Sequence, residues 1–335
     1  VSFWNNKNVL ITGAMGFIGS SLALDLVREG SNVTTVDNME RKIFGMDGKT
    51  KILSHKVSRF LEGDLRSYEV CNAVCQNIDI VIHLASKVGG IGFYTSHASE
   101  VINDNICIDN NMLRAAIENN VSKYFYASSA HVYPFSLQGH PDSPPIKEEK
   151  TSAGDPGLSY GWAKLISEKQ LQYAADQYEG FNVAMARYIG IYGPDQDIDL
   201  EKGSVIPVFS HRAIKYPDID FGVWGTGEET RSYCYIKDAI NATKTMIEAM
   251  EHTRVVGPYN VGKQEKVSVR HIAETIVNIS GKDIDIKYDH SKETKIWGQW
   301  CDCTKIEKDL GWKAEITFRE GLEKVYKNVE WRLNK

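Results

Sequence analysis

Three scarcities narrow the possibilities before any motif is read. No apolar run approaches the ~18 residues that a membrane span needs. Basic residues are not in excess, since 39 Lys and Arg stand against 44 Asp and Glu for a formal net charge of -5. That balance lacks the clustered positive footprint of a nucleic-acid binder. Cysteine is sparse as well: Cys71, Cys75, Cys107, Cys234, Cys301 and Cys303 are too few and too scattered over 335 residues for a disulfide framework. Cys71 and Cys75 sit on a predicted helix, and Cys301 and Cys303 alternate on an extended stretch. Neither pair has the knuckle spacing of a zinc site with nearby Gly or His, so no metal is expected. The opening "VSFWNNKNVLITG" has no basic start followed by an apolar stretch, which argues against a secretory signal. The chain begins on Val1 rather than methionine, as a processed or trimmed chain does. Reduced thiols and the missing signal together point to the cytoplasm. There is no internal repeat and no low-complexity segment.

What is present is the composition of an ordinary globular protein, with 42% hydrophobic and 25% charged residues. The first half alternates short β-branched runs with helical patterns. "KNVLITG", "NVTTVD", "RFLEGD", "DIVIHLA", "KYFYASS" and "NVAMARY" read as strands, and residues 16–30, 98–119 and 158–179 as helices. The strands are nearly continuous apolar runs, which marks a parallel sheet covered on both faces. The expected class is therefore α/β, a Rossmann-type doubly wound parallel sheet. Residues 1–189 are read as a dinucleotide-binding domain, with part of 233–262 returning to it. Residues 190–335 are read as a smaller C-terminal substrate-binding lobe. There a Gly- and Pro-rich loop, "IGIYGPDQDIDLEKGS", leads to a helix at 205–215. Short strands around a Gly turn, helices near 238–250 and 268–280, and a mixed end follow.

"ITGAMGFIGSSLALDL" places Gly13, Gly16 and Gly19 directly after the first strand and at the opening of a helix. Glycines there let the backbone approach a pyrophosphate seated on the helix N-terminus, with Phe17 and Ile18 alongside. The second strand ends in Asp37, 18 residues after Gly19 and followed by Asn38. A carboxylate at that place accepts from an adenosine ribose and repels a 2′-phosphate, so the expected cofactor is NAD. Arg41 and Lys42 keep NADP as an alternative. Asp64 and Leu65 in "EGDLRS" are candidates to flank the adenine. Ala85 and Ser86 in "HLAS" stand at the C-terminal end of the fourth strand, where ligands bind in open α/β sheets.

"SYGWAKLISEKQ" puts Tyr160 and Lys164 four apart on one helical face. An ammonium near a phenol favours the phenolate. A phenolate takes the proton from a hydroxyl whose carbon gives up a hydride, and Ser129, at the end of the fifth strand, can hydrogen-bond that hydroxyl. The glycine loop, Asp37, Ser129 and the Tyr160/Lys164 pair resemble the extended short-chain dehydrogenase/reductase family, over nearly the whole chain. "KVGGIGFYTSHASEVINDNICIDNNML", "YFYASSAHVYP", "VWGTGEETRSYCYIKD" and "KIEKDLGW" resemble its GDP-mannose 3,5-epimerases most, with GDP-fucose synthases next. The resemblance implies an NAD-dependent enzyme acting on a nucleotide-diphosphate sugar. It places Gly89 and Gly90 beside the sugar and Arg231 on the diphosphate, and it implies a homodimer built from the helices near 98–119 and 158–179.

His131 stands where the resembled 3,5-epimerases carry an acid/base cysteine. Extended backbone would point it to the same side as Ser129. Beside a C4 ketone, a neutral imidazole removes a proton from C3 or C5, and an imidazolium supplies one. The second acid/base of that branch has no clean counterpart in "DLEKGSVIP", where Lys202 is the candidate and Ser204 lies nearby. Gly190 stands where the branch has a substrate-holding asparagine, and Trp297 where it has a second phosphate-binding arginine. The leading reading is an epimerase that oxidises C4 transiently, at C3 or C5 of a GDP-sugar. A 4-epimerase, a 4,6-dehydratase and a non-catalytic NAD-binding regulator stay open as alternatives.

Overall fold

The computed structural model describes residues 2–40, 56–291 and 296–335. Seven parallel strands form the main sheet. Six are the runs expected from sequence: β1 (Asn8–Thr12), β2 (Asn32–Asp37), β3 (Arg59–Glu62), β4 (Ile80–His83), β5 (Lys123–Ser129) and β6 (Asn182–Tyr188). The seventh, Val255–Val261, comes back from the second half of the chain to the edge beside β6. The order is Val255–Val261, β6, β5, β4, β1, β2, β3, with every neighbouring pair parallel.

Both faces of this sheet are buried along its inner strands, and the alternation of their side chains shows it. Val9 and Ile11 of β1, Ile80 and Ile82 of β4, and Ala184 and Ala186 of β6 enter one core. Leu10, Val81, Val183 and Met185, one residue out of step, enter the other. Helix Phe17–Arg28 and helix Ile236–Ala249 cover the first face through Leu22, Leu26, Ala239 and Met246. Helices Tyr68–Cys75, Ala98–Glu118 and Ser159–Gln177 cover the second through Val74, Met112 and Leu171. Each fully buried side chain of this size is worth about 1.5–3 kcal/mol in transfer free energy. Strands dressed on both sides have no polar face, which is why they read as unbroken apolar runs.

The seventh strand escapes a strand reading because "VVGPYNV" carries Gly257 and Pro258, and the pairing with β6 shifts register between Val256 and Tyr259. Proline is tolerated there because this strand is an edge. The mixed C-terminal end contains helices Thr304–Leu310 and Phe318–Leu333. The start of the second was written in "TFRE", where the Thr317 hydroxyl accepts from the Glu320 amide at 3.3 Å.

The two cysteine pairs that would have to meet in a zinc site do not converge. Cys71 and Cys75 lie in one core and Cys301 and Cys303 in the other. Among the described residues no group of His, Cys, Asp and Glu is arranged to hold a metal ion, and no helix is long and apolar enough to cross a membrane.

Candidate active site

A parallel sheet leaves its ligand crevice outside the carboxyl ends of the strands. Here that crevice is a cavity of about 600 Å³, and the ends of β1, β2, β4, β5 and β6 all reach its wall. Gly13, Gly16, Phe17, Ile18 and Gly19 line one end. Gly13 has a φ of +66°, and a Cβ there would lie 2.9 Å from the Ala85 backbone. A Cβ on Gly19 would lie 2.4 Å from the Gly13 carbonyl oxygen. Turn, helix and β4 therefore meet at a distance that only glycine permits.

Asp37 and Asn38 line the cavity next to this turn. Asp37 receives the Met15 amide on one carboxylate oxygen and the Met39 amide on the other, each at 2.9 Å. The residue thus shapes the glycine loop as well as facing the cavity, and each oxygen keeps a lone pair for a further donor. Burial pushes its carboxyl above the usual range, against the pull of those two amides. Asp64 and Leu65 also line the wall. The Asp64 carboxylate is held by the Arg66 guanidinium, which lowers its pKa, and Arg66 reaches on to Asp104 and Glu40 at 3.1 Å each. Ala85 is in the wall, its amide donating to Thr12 Oγ1 at 3.0 Å. Arg41 and Lys42 lie outside the described residues.

The same cavity is lined by Ser86, Ser129, Tyr160 and Lys164. The hydroxyls of Ser86 and Ser129 lie close enough to the Tyr160 phenol to favour its ionised form, and Ser86 itself donates to Asn105 Oδ1 at 2.6 Å. Lys164 is 1% exposed, its Nζ 5.7 Å from the centre of the Tyr160 ring and 4.5 Å from that of Tyr126. The expectation of a lowered Tyr160 pKa needs correction for the chain alone. Burial dominates and raises it, and the two serine hydroxyls oppose that rise only in part. Burial likewise lowers Lys164.

His131 departs from the extended geometry expected for it. The strand ends at Ser129, and Ala130–Val132 form a single 3-10 turn whose His131 amide donates to Ser129 Oγ at 3.2 Å. The ring is therefore aimed by this turn and not by strand alternation. It lies edge-on to Tyr160 and to Tyr94, with centroids 5.7 and 5.8 Å away, while Tyr94 stacks on Tyr160 at 4.8 Å. Its Nδ1 is buried without a hydrogen-bond partner. Burial, aided by the Arg231 guanidinium, pushes the imidazole down to about 4, so it is neutral near pH 7. The imidazolium form expected as a proton donor is not the resting form.

His131, Gly89, Gly90, Arg231 and Lys202 are not part of the cavity wall. A Cβ on Gly89 would strike the Phe93 ring, and Phe93 itself lines the cavity. Arg231 is engaged by the Thr230 carbonyl at 2.8 Å and the Ile296 carbonyl at 2.9 Å. Lys202 sits exposed on a turn in which its amide donates to Asp199 Oδ1 at 2.9 Å. Two residues on, Ser204 does line the cavity, with Gln196 donating to its hydroxyl at 3.2 Å. Gly190 has a physical reason of its own: its φ is +56°, and a Cβ would lie 2.0 Å from the Ser232 carbonyl oxygen. The Trp297 amide and carbonyl pair with Gln138 and Thr230, joining the end of a 3-10 turn to a short strand.

The model of the NAD dependent epimerase/dehydratase family matches residues 9–262, about three-quarters of the chain. The chain belongs to that family. Among proteins that resemble this epimerase/dehydratase is a GDP-mannose 3,5-epimerase of Arabidopsis thaliana, 29% identical over 335 residues, covering 99% of this chain and 85% of the relative. A UDP-glucose 4-epimerase of Caenorhabditis elegans is 26% identical over 93% of this chain and 95% of its own. The crystal structure of a UDP-glucose 4-epimerase of Thermotoga maritima superposes with a TM-score of 0.84 at 25% identity, covering 97% and 99% of the two chains.

The cofactor of this epimerase/dehydratase is NAD, and the residues present suit it. Gly13, Gly16 and Gly19 bring the turn and the start of the helix to the cavity wall with no side chain between backbone and ligand space, and Asp37 offers free lone pairs toward a ribose. Reading from sequence missed the group behind Lys164, namely Asp109, His83, Thr12 and Tyr126. A signal existed. Asp109 sits on a buried helix face beside Ile108, Met112 and Ala116, and a carboxylate there needs a buried partner.

Proposed function

We propose that the protein is an NAD-dependent nucleotide-diphosphate-sugar epimerase that works through transient oxidation at C4 of the sugar. One observation carries the reading: Tyr160, with Ser86, Ser129 and Lys164, shares a cavity wall with the glycine loop and Asp37. NAD, when bound, supplies the hydride acceptor and later the donor. Gly13, Gly16 and Gly19 would hold its pyrophosphate and Asp37 its adenosine ribose, with Phe17, Ile18, Asn38, Asp64, Leu65 and Ala85 around it. Tyr160 takes the proton from the C4 hydroxyl and returns it. Ser129 orients that hydroxyl. Lys164, a buried cation, favours the phenolate.

For a GDP-sugar epimerised at C3 or C5, His131 is the base. Its neutral ring, its unpartnered Nδ1 and its place against Tyr160 support that role. Gly89, Gly90 and Arg231 are assigned to sugar and diphosphate. A simple 4-epimerase is the second reading, favoured by the position of His131 outside the cavity wall and of Lys202 at the surface. Reaction in D₂O tests both. Solvent deuterium in the product supports the 3,5 reading, and label-free epimerised product supports the 4-epimerase. No turnover of any GDP-, UDP-, dTDP- or CDP-sugar overturns both.

We further read the chain as a homodimer. On helix Ser159–Gln177, Trp162, Ile166 and Tyr173 form one exposed stripe, at 40%, 43% and 71% exposure. Large apolar groups aligned at helical spacing suit a helix-to-helix contact. Light scattering giving a monomer would end that reading. The six cysteines are all free, which suits a reducing cytoplasm.

A further inference from the structure

Lys164 is buried in the core and needs a counter-charge there. Two carboxylates are near enough to favour its charged form, Asp109 and Glu168. Glu168 is already balanced. Arg187 holds it through Nε at 2.9 Å and Nη2 at 2.6 Å, and the Ser128 hydroxyl donates to it as well. Asp109 has no such cation of its own. Its Oδ2 accepts from the Tyr126 hydroxyl at 2.5 Å and from Ser167 at 2.7 Å. Tyr126 presents its ring face to the Lys164 ammonium, 4.5 Å from Nζ. A phenol that donates to a carboxylate has a more negative ring face, which suits a cation placed over it.

The other carboxylate oxygen of Asp109 leads to the cofactor end of the cavity. Thr12 Oγ1 receives the amides of Leu84 at 3.1 Å and Ala85 at 3.0 Å, which occupy both of its lone pairs. Its own proton therefore goes to His83 Nδ1, 2.8 Å away. Nε2 is then the protonated nitrogen of a neutral ring, and it donates to Asp109 Oδ1 at 3.0 Å. Burial lowers the pKa of His83, in keeping with that neutral tautomer. The Ala85 backbone that starts this chain is the one Gly13 packs against.

We propose that Asp109 is a positioning residue whose carboxylate keeps Lys164 an ammonium and, through His83 and Thr12, ties it to the strand end beneath the glycine loop. The assignment rests on the reading of Lys164 as the group that tunes Tyr160. The charged and titratable groups around Lys164 are Asp109, Tyr126, His83, Tyr160 and the Glu168–Arg187 pair. Of these, Asp109 alone is an anion without its own cation.

The test is a stability cycle of Asp109→Asn, Lys164→Met and the double variant, followed by thermal melting, which needs no turnover. Asp109→Asn is expected to lower Tm by several degrees in the native background and by much less with Lys164→Met. Equal losses in both backgrounds would make Asp109 a packing residue and overturn the proposal. If Asp109→Asn does not fold, recovery of the fold in the double variant supports the proposal. Failure of both while Lys164→Met folds overturns it. On a turned-over nucleotide sugar, the high-pH limb of kcat should move down by about one unit in Asp109→Asn, because Lys164 then loses its proton more easily. An unmoved limb counts against the proposal. A chain inert on every nucleotide sugar would undo the functional reading and leave the stability cycle standing.

Discussion

The two ends of the site are built in different ways. The cofactor end and Tyr160 rest on the ends of parallel strands and on helices packed against them, and Gly13, Asp37, Ser129, Tyr160 and Lys164 all meet one cavity. The side that carries His131, Arg231 and Lys202 is made of a 3-10 turn, a two-residue strand and a surface turn. None of those three side chains lines the cavity. A scaffold of strand ends places side chains by register, and the motif spacing survives into space. Loops place them by local turn chemistry, and residues close in sequence diverge.

The comparison breaks first at Tyr160. Tyr160→Phe should cut kcat by about 10²–10⁴-fold while the fold and NAD binding persist. Retained turnover, measured with the best nucleotide sugar, would remove the strand-end group from the chemistry. Gly13→Ala comes next, since it forces a Cβ into the Ala85 backbone at a positive φ. It should cost about 1–3 kcal/mol in denaturant unfolding and abolish the thermal shift on adding NAD.

His131 sharpens the other side. Its folded pKa of about 4 lies below the ordinary imidazole value of 6.5, so the unfolded chain binds the extra proton between those values. The His131 contribution is therefore fully present above pH 6.5 and is lost as pH falls toward 4. His131→Asn should flatten the acid loss of stability by at most about 3 kcal/mol, read from unfolding midpoints at pH 7 and pH 4.5. An unchanged slope would mean the ring is already solvated. The same variant should stop deuterium uptake if it epimerises at C3 or C5. The smallest effect is expected at Lys202. Lys202→Ala should leave kcat/KM within about twofold, as exposed substitutions away from a site do. Ser204→Ala, in the wall, should raise KM. The reverse ranking would put the second proton carrier back on Lys202.

Particular residues mark what could be read in advance. The inner strands were legible because burial on both faces demands unbroken apolar runs. Tyr160 and Lys164 were legible because four residues make one helical turn. The seventh strand was masked by Gly257 and Pro258, which an edge tolerates. Asp109 was passed over because its partners lie far away in sequence, at Thr12, His83 and Tyr126. His131 was aimed wrongly because a strand end and a 3-10 turn look alike in "SSAHVYP".

The sequence by itself determined the layered α/β class, the glycine cradle and the pairing of Tyr160 with Lys164, since each depends on periodicity or spacing within a few residues. Only the tertiary structure decided that Asp37 also clamps the glycine loop and that Ser204, not Lys202, faces the cavity. It also decided that Lys164 is buried over the Tyr126 ring, whose hydroxyl donates to Asp109. Those outcomes depend on which charges lose water together, and burial is a property of the packed chain rather than of any segment of it.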